Sequence, residues 1–301
     1  MLELCASEGS LCLDTQHKIY FKDSQKMSEV SDKSVHLVLT SPPYWNIKDY
    51  GHPDQIGYRD GLEEYFKKLG TVWSECVRVL APGCRLCINI GDKYLRASNT
   101  ENKPYQIIPL HAFLVNSIMQ NFMDDVVYLG SIIWNKIPTT KTSGGASVMG
   151  SYGRPRNGYV SYNYEYIAIF KKKIKDRENE PNPRPEVKQR SIIDLKSWRE
   201  LFNGIWIFNG ARQVNHIAVF PDELPRRLIQ MFTYEEDTVL DPFLGSGTTT
   251  KVALELGRNS VGYEIGFKSP KADDTVEIVK EKIRFYDVPK CHRKRVFPTL
   301  S

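Results

Sequence analysis

The sequence contains no apolar stretch approaching the roughly 18 residues that a membrane-spanning helix needs. It also lacks a basic-plus-apolar signal segment at its start. Its six cysteines are scattered among strand-like and helix-like segments, and Cys84-x-x-Cys87 has no second cysteine pair. We therefore expect no disulfide framework and no zinc or other metal site. These absences predict a soluble, cytoplasmic protein with reduced thiols.

The 301 residues, of which 41% are hydrophobic, are enough for one large α/β domain with a substantial core. The net charge of +5 is mildly basic, which permits a nucleic-acid partner without requiring one. Strand-like and helix-like segments alternate through most of the chain. Such alternation predicts a parallel sheet with helices on both faces.

Apolar periodicity and turn residues give the predicted elements. Asp60 and Glu63 have capping-box spacing before a helix that Pro82-Gly83 should end, and Asp222 should cap a later helix. A further helix is expected within 191–206. We predict strands at 17–21, 35–39, 84–90, 126–134, 162–170, 238–240 and 260–263, and helices at 60–80, 105–120, 222–232, 248–256 and 273–285.

The most distinctive stretch is Thr40-Ser41-Pro42-Pro43-Tyr44-Trp45, which follows the apolar strand at 35–39. Proline fixes φ and donates no backbone hydrogen bond, so the strand must end in a stiff loop at Pro42-Pro43. Open α/β sheets bind their ligands at the carboxyl ends of their strands. We therefore expect the chemistry to take place at this loop.

A second loop, Asp241-Pro242-Phe243-Leu244-Gly245-Ser246-Gly247, lies between a short strand and a helix. Glycines there allow a tight turn and the close approach of a ligand to a helix N-terminus. Glu264 lies 23 residues beyond Asp241, at the end of the next strand, where a carboxylate can bind ribose hydroxyls. Thr250 stands where a dinucleotide site has its third small residue. The loop predicts a nucleoside cofactor without a pyrophosphate, and the alternative is an ordinary turn with a surface glutamate.

Composition divides the chain into three parts. From Lys136 to about Gly158 the composition changes to Thr, Ser and Gly, and this segment is too long for a simple connector. Residues 174–190 are charged and contain three prolines, as an exposed excursion would. We therefore predict a catalytic half at 1–136, a target-recognition region at 137–215 that includes a core strand near 162–170, and a cofactor-binding half at 216–301.

The two loops together resemble the β group of amino-DNA methyltransferases, in which Ser-Pro-Pro-Tyr precedes the S-adenosylmethionine loop. The resemblance covers roughly 18–135 and 160–285. It includes Asn89-Ile90-Gly91-Asp92, Trp134-Asn135-Lys136, the segment 216–224 around Phe220-Pro221, and the segment 257–264 that ends at Glu264. It implies the Rossmann-like fold of S-adenosylmethionine-dependent methyltransferases, with a mixed sheet, helices on both faces and circularly permuted motifs. It also implies the cofactor S-adenosyl-L-methionine and a double-stranded DNA substrate.

The resemblance also bears on the target base. Members with Ser-Pro-Pro-Tyr mostly methylate cytosine at N4, those with Asp-Pro-Pro-Tyr mostly adenine at N6, and Trp45 is similar to the cytosine members. Cytosine-C5 enzymes need a Pro-Cys nucleophile, and no cysteine here follows a proline. The Asn-Pro-Pro-Tyr of protein-glutamine enzymes is also absent. We expect cytosine-N4 methylation within a restriction–modification system. The alternatives are adenine-N6 methylation on the same fold, RNA as the substrate, and a DNA-binding module without activity.

The resemblance assigns roles to individual residues. The catalytic set is Ser41, Pro42, Pro43 and Tyr44, with Asp92 either a carboxylate that supports Ser41 or a solvated turn residue. Asp23 either faces the adenine amino group or is a plain turn residue. The predicted cofactor-binding residues are Asp23, Phe220, Pro221, Asp241, Phe243, Gly245, Ser246, Gly247, Thr248 and Glu264.

The target-recognition region contains the candidate DNA contacts. Lys141, Arg154 and Arg156 lie in its Gly-rich loop, where they could neutralise phosphates. The Lys-rich run at 171–175 is a weaker candidate, since such runs are more often solvated faces. The target must be flipped out of the duplex. A cognate restriction endonuclease and a second copy of the chain are the expected protein partners, and no membrane partner is expected.

Overall fold

The computed structural model describes residues 2–5, 15–47, 49–95, 106–137, 149–150, 156, 158–159, 163–210, 220–266 and 297–298. Its helices are α1 (Leu62–Val79), α2 (Leu110–Phe122), α3 (Pro185–Arg190), α4 (Leu195–Leu201), α5 (Glu223–Phe232) and α6 (Thr248–Glu255). Its strands are β1 (Leu2–Cys5), β2 (Gln16–Tyr20), β3 (Val35–Thr40), β4 (Leu80–Ile90), β5 (Lys93–Leu95), β6 (Gln106–Ile108), β7 (Val126–Ile137), β8 (Met149–Gly150), β9 (Gly158–Tyr159), β10 (Tyr164–Lys172), β11 (Ile205–Asn209), β12 (Thr238–Asp241), β13 (Asn259–Tyr263) and β14 (Phe297–Pro298).

Ten of these strands form one sheet in the order β11-β7-β10-β4-β3-β12-β13-β2-β1-β14. β10 pairs antiparallel with both β4 and β7, and β1 pairs antiparallel with β2 and β14. The other pairings within this sheet are parallel. The parallel sheet predicted from the alternation of elements is therefore only partly correct, because β10 and β1 run antiparallel to their neighbours. The mixed sheet implied by the family resemblance is confirmed.

Helices cover both faces of this sheet, as predicted. On one face, Leu69 and Trp73 of α1 and Leu114 of α2 belong to a core that also contains inward residues of β4 and β10. On the other face, Leu228 of α5 and Val252 of α6 pack with residues of β3, β7 and β12. A strand that is buried on both faces needs a continuous apolar sequence, and β3, Val-His-Leu-Val-Leu-Thr, comes close to one.

The start and end of α1 differ from the prediction. The N-cap residue is Gly61, and no side chain caps the helix. Asp60 instead accepts hydrogen bonds from the Gly57 N–H at 2.7 Å and the Lys68 ammonium at 2.5 Å. The helix ends at Val79, and Pro82-Gly83 lies within β4.

Other boundaries also move. Residues 191–206 contain the short helix α4 and the beginning of strand β11, so the single predicted helix is only partly correct. Asp222 is the N-cap residue of α5, but its side chain makes no capping hydrogen bond and pairs with Lys251 instead. The helix predicted at 273–285 lies outside the described residues. Within the described part of the chain, no helix is long and apolar enough to cross a membrane.

Candidate active site

Four parallel strands, β3, β4, β12 and β13, end at the same edge of the sheet, and the antiparallel strand β10 begins there. β3 leads into Ser41-Pro42-Pro43-Tyr44, and its neighbour β12 leads into the glycine loop. β13 ends just before Glu264. The sheet therefore brings together the two loops that the sequence singled out.

The Ser-Pro-Pro-Tyr loop is held in place by contacts with α1 and with residues on either side of that helix in the chain. The buried Tyr65 hydroxyl donates a 2.9 Å hydrogen bond to the Pro43 carbonyl. The Trp45 indole N–H donates to the Asp60 carbonyl at 2.9 Å, and the Lys93 ammonium lies 4.8 Å from the centre of the indole ring. Trp45 is thus engaged in supporting the loop. Proline rigidity and these anchors together fix the position of Ser41.

A polar cluster lies beside Ser41, which we call the Asn89 cluster: Ser41, Tyr44, Asn89, Lys136 and Glu165. The Asn89 Nδ2 atom is 2.8 Å from Glu165 Oε2, 3.2 Å from the Tyr44 hydroxyl and 3.4 Å from Ser41 Oγ. Lys136 forms an ion pair with the other oxygen of Glu165. Burial, and next the charge of Glu165, raises the pKa of Tyr44 well above its ordinary value. Tyr44 therefore stays a neutral phenol.

Asn89 itself is 2% exposed, and its Oδ1 atom is buried without a hydrogen-bond partner among the described residues. A buried acceptor without a donor costs about 1–3 kcal/mol. Each such atom in a native structure calls for an explanation, such as a bound water or ion or a catalytic role. The Asn89 cluster is therefore suited to an incoming N–H group.

Asp92 does not support Ser41 as predicted. Its Oδ1 atom accepts the backbone N–H of His111 at 3.1 Å, at the start of α2. The carboxylate of the Asn89 cluster is Glu165, on a strand 76 residues from Asn89 in sequence. The sequence carried only a weak signal for it: Asn89 and Lys136 lie in family-like segments, whereas Glu165 lies in an ordinary alternating strand.

The glycine loop has the backbone geometry that its sequence predicts. Gly245 and Gly247 have φ values of 57° and 88°, which favour glycine. A Cβ atom on Gly245 would meet no heavy atom within 4 Å. The backbone is thus open on the side where a ligand would approach, with the N-terminus of α6 behind it.

Asp241 connects the two loops. Its buried carboxylate accepts hydrogen bonds from the Thr40 hydroxyl at 2.8 Å, the Thr249 hydroxyl at 2.6 Å and the Phe243 N–H at 3.0 Å. Burial raises its pKa to about 6, although these three hydrogen bonds act in the opposite direction. Thr40 and Ser41 are consecutive, so one strand end contacts both the glycine loop and the Asn89 cluster.

Glu264 lies under the glycine loop. Its Oε2 atom accepts the Gly245 N–H at 2.8 Å, and its Oε1 atom accepts the Gly266 N–H at 2.9 Å. Burial raises its pKa. Burial, and next the charge of Glu264, raises the pKa of Tyr50 in the loop after Tyr44. The site thus contains a buried acceptor at the predicted ribose position.

The other predicted cofactor residues are less uniform in their positions. Ser246 and Thr248 are buried in the glycine loop and at the start of α6. Phe243 packs edge-on against Trp73, with ring centres 6.2 Å apart. Phe220 and Pro221 are half-buried just before α5. Asp23 is exposed after β2 and accepts the Gln25 N–H at 2.9 Å, as a turn residue does.

Of the predicted DNA contacts, Arg156 is exposed, whereas Lys141 and Arg154 lie outside the described residues. The run at 171–175 is at the opposite edge of the sheet from Ser41, because β10 is antiparallel. Its lysines are engaged there: the buried Lys172 donates to the Val77 and Leu80 carbonyls at 2.7 and 2.6 Å, and Lys175 pairs with Asp125. Phosphate contact by this run is not supported.

Comparison with known proteins was consistent with this geometry. The family model described as DNA methylase matches residues 35–268. Type II methyltransferase M.MjaI of Methanocaldococcus jannaschii is 38% identical, with 91% of this chain and 93% of that protein covered. Type II methyltransferase M.MthZI of Methanothermobacter thermautotrophicus is 36% identical over 84% of this chain and 74% of that protein.

Solved structures are similar as well. TTHA0409 of Thermus thermophilus, crystallised with S-adenosyl-L-methionine, is 28% identical with a TM-score of 0.69, and covers 91% of this chain and 95% of its own. The PvuII DNA methyltransferase, a cytosine-N4-specific enzyme, has a TM-score of 0.55 at 17% identity, with 89% of this chain and 93% of that chain covered. At that identity the likeness concerns the fold alone.

Proposed function

We propose, on the premise that the chain belongs to the N6/N4 family of S-adenosylmethionine-dependent type II DNA methyltransferases, that its target is the N4 amine of cytosine. The target cytosine is flipped out of duplex DNA to reach the site. The assignment of the base depends on Ser41 and Trp45, which resemble the cytosine-N4 members of the family. The same fold and cofactor would serve adenine N6, which is the competing assignment.

The observation that supports methyl transfer at this loop, for either base, is the hydrogen bond between Thr40 and Asp241. It joins the strand end that presents Ser41 to the loop that would hold the cofactor. An acceptor for the target amine therefore lies next to the proposed position of the methyl donor. Holding two reactants in a fixed relation supplies much of the rate of a transfer reaction.

The chemistry of the target explains the residues of the catalytic loop. The lone pair of an exocyclic amine is delocalised into the ring, so the nitrogen is a poor nucleophile. Acceptors for its N–H groups favour the pyramidal form whose lone pair is free to attack. Ser41 Oγ and a backbone carbonyl of the loop are suited to this role, Pro42 and Pro43 hold them rigidly, and Tyr44 stacks on the base.

The residues present fit the expected cofactor. The open backbone at Gly245 leaves room for a ligand, and the buried Glu264 offers oxygens to ribose hydroxyls. Asp241, Phe243, Gly245, Ser246, Gly247 and Thr248 would hold the methionine side. S-adenosyl-L-methionine, when bound, supplies an electrophilic methyl group on a positively charged sulfur. Asp241 is the buried carboxylate next to that side.

Phe220 and Pro221 are proposed to close over the methionine end of the cofactor. Asp23 is proposed to face the adenine amino group, a role that its exposed position after β2 permits. Residues 1–136 would then form the catalytic half of the protein, and 216–301 the cofactor-binding half.

Residues 137–215 are proposed as the target-recognition region, although β10 within it belongs to the central sheet. Lys141, Arg154 and Arg156 would contact phosphates, which fix the register of the protein on DNA. A cognate restriction endonuclease that cleaves the same site is the proposed functional partner, and a homodimer is the proposed assembly.

The test is to identify the methylated base directly. Unmethylated plasmid DNA is incubated with the protein and S-adenosylmethionine, digested to nucleosides and analysed by mass spectrometry. We expect N4-methyldeoxycytidine, and its loss when Ser41→Ala replaces the wild type. N6-methyldeoxyadenosine alone would overturn the base assignment, whereas full activity of Ser41→Ala would overturn the role of the loop. Methylation-sensitive sequencing of the same plasmid gives the recognition site.

A further inference from the structure

The loop that follows the catalytic tetrapeptide, residues 45–60, is closed at its base. The Asn46 N–H donates to the Gly57 carbonyl at 2.9 Å, which brings the two ends of the loop together. Gln55 and Ile56 are buried within the fold. A short loop whose ends meet and whose own side chains pack inward is an Ω-loop, a form that is frequently functional.

Two large apolar side chains of this loop are exposed, and we call them the apolar ridge: Ile47, at 51% exposure, and Tyr58, at 37%. They are the next residues after Asn46 and Gly57, whose hydrogen bond closes the loop. Arg59 is exposed as well. The other large apolar side chains that are exposed in the described chain all lie beyond residue 110 in sequence. The apolar ridge therefore adjoins the catalytic loop directly.

Ile47 is held in a fixed position although it is exposed. Its N–H donates to the Tyr44 carbonyl at 3.3 Å, which closes a turn at the end of the catalytic tetrapeptide. Asn46, inside this turn, has a φ of 46°, a left-handed conformation that asparagine tolerates better than most residues. The ammonium of the buried Lys93 donates to the Asn46 carbonyl. These contacts fix the backbone that carries Ile47.

The backbone that carries Tyr58 is equally constrained. Gly57 has a φ of 99°, and a Cβ atom there would lie 3.0 Å from the Tyr65 ring and 3.5 Å from the Trp45 Cα atom. Only glycine fits this position. Tyr65 also donates its hydroxyl to the Pro43 carbonyl. The catalytic loop and the apolar ridge therefore share one rigid support.

We propose that Ile47 is an apolar wedge that enters the base stack of duplex DNA where the target base leaves it, with Tyr58 packed beside it. The inference rests on the proposed function, in which a base is flipped out of the duplex to reach Ser41. It holds for cytosine and adenine alike, because the wedge contacts the neighbours of the target and not the target itself.

The flipped state needs a group of this kind. A base that leaves the duplex opens a gap between its two neighbours, and its loss of pairing and stacking costs free energy. Proteins that open base steps commonly insert an apolar side chain, isoleucine among them. Such a side chain covers the faces of the neighbouring bases, and the burial of its own apolar surface offsets part of the cost. The β-branched Ile47 has little χ1 freedom to lose in doing so.

The position of Ile47 relative to the pocket fits this role. The ends of such a turn lie within about 7 Å of each other, so Ile47 is close to Tyr44, on which the flipped base would stack. A flipped nucleotide stays joined to its strand, and the gap that it leaves must therefore lie near the pocket. Arg59 offers a cation for a flanking phosphate. The loop also has exposed carboxylates at Asp49 and Asp54, so apolar contact, and not net charge, carries the inference.

The experiment separates the exit of the target base from methyl transfer. Full-length wild type is compared with Ile47→Ala, which removes the wedge, and Ile47→Leu, which keeps an apolar side chain of equal size. Ile174→Ala is the matched control, because Ile174 is 45% exposed and follows β10 at the opposite edge of the sheet. Two duplexes carry the recognition site that sequencing identifies. The target base is paired in one and lies opposite an abasic position in the other.

Single-turnover methyl transfer is measured with cofactor and DNA saturating. On the paired duplex we expect Ile47→Ala to be slower than the wild type by about 30-fold, from the apolar surface that alanine no longer buries. On the duplex with the abasic position the deficit should shrink to within about threefold, because an unpaired base leaves the stack at lower cost. Ile47→Leu should stay within about threefold of the wild type on both, and Ile174→Ala should match it.

A second readout follows the base itself. 2-Aminopurine in place of the target base fluoresces more strongly when it leaves the stack. The wild type should therefore raise its fluorescence, and Ile47→Ala should raise it less. The Kd for S-adenosylmethionine and the Tm should stay at their wild-type values, since Ile47 is exposed in the free protein.

Equal rates of Ile47→Ala and wild type on the paired duplex would overturn the inference. So would an equal deficit on both duplexes, since Ile47 would then act on DNA binding or on the pocket rather than on the gap. Failure of the proposed function gives different results. The wild type would cause no rise in 2-aminopurine fluorescence at a site that it methylates, or Ser41→Ala would be as active as the wild type.

Discussion

Replacing Asp241 by Asn should make the fold more stable at neutral pH while weakening cofactor binding. Asp241 is 0% exposed, and burial raises its pKa to about 6 from an ordinary value of 3.8. A buried carboxylate whose pKa is raised is held in its charged form at neutral pH at a cost to folding. Asparagine has nearly the same shape but carries no charge.

The sign and size of the effect follow from proton linkage. Because the native state binds this proton more tightly than the unfolded chain, the contribution of Asp241 to stability is fully present below pH 3.8. This contribution falls as the pH rises from 3.8 to about 6, and above that pH the effect of Asp241 on stability no longer changes. The difference between the two pKa values corresponds to about 3 kcal/mol at pH 7.

Urea unfolding of the wild type and Asp241→Asn at pH 5 and pH 7.5 measures this effect. We expect the stability of the variant relative to the wild type to rise by about 1.5 kcal/mol between these two pH values. Hydrogen bonds that asparagine cannot accept shift both measurements equally, and other titrating groups cancel in the comparison. Asp176→Asn, which replaces an exposed carboxylate, should give no such change.

A relative stability that does not change with pH would refute this account of Asp241. The functional half of the prediction is tested separately by calorimetry at pH 7.5. Loss of the negative charge should weaken S-adenosylmethionine binding by about tenfold, or about 1.4 kcal/mol, since the sulfonium of the cofactor is positive. Wild-type affinity would mean that the ionised carboxylate does not act on the cofactor.

Two further changes test the loops. Gly245→Val should abolish S-adenosylmethionine binding in calorimetry, because a β-branched residue is strained at a φ of 57° and fills the open side of the loop; retained binding would contradict the cofactor assignment. Tyr65→Phe removes the hydrogen bond to the Pro43 carbonyl, so we expect methyl transfer to slow by about tenfold and the free energy of unfolding to fall by about 1 kcal/mol. Affinity for S-adenosylmethionine should stay within about twofold of wild type. An unchanged transfer rate would show that the loop is held without this hydrogen bond.

Sequence patterns predicted the structure correctly where it is determined by residues close together in the chain. The apolar run before Ser41 had to be a buried strand, and Pro42-Pro43 had to end it. Gly245 and Gly247 likewise required a tight turn before a helix. Local rules failed at the start of α1, where Asp60 and Glu63 had capping-box spacing but Asp60 binds Gly57 and Lys68 instead. Tertiary contacts outweighed the local preference there.

Glu165 could not be predicted from its neighbours in sequence. Its place beside Asn89 depends on the antiparallel pairing of β10 with β4, in which Ile167 is opposite Asn89. The regular alternation of strands and helices predicted parallel strands, and a parallel β10 would have put Glu165 at the other edge of the sheet. Asp92 is the carboxylate nearest to Asn89 in sequence. The hydrogen bond that it accepts from the His111 N–H depends on where α2 begins.

The central geometry of the site does not depend on the order of its motifs along the chain. Thr40 and Asp241 are 201 residues apart in sequence, yet their side chains are hydrogen-bonded because β3 and β12 are adjacent and parallel in the sheet. Two neighbouring parallel strands end at the same edge of the sheet, whichever of the two comes first in the chain. Successive residues at a strand end point in opposite directions, so Thr40 contacts the cofactor loop while Ser41 contacts Asn89. A permuted order of motifs therefore leaves donor and acceptor sites in the same relation.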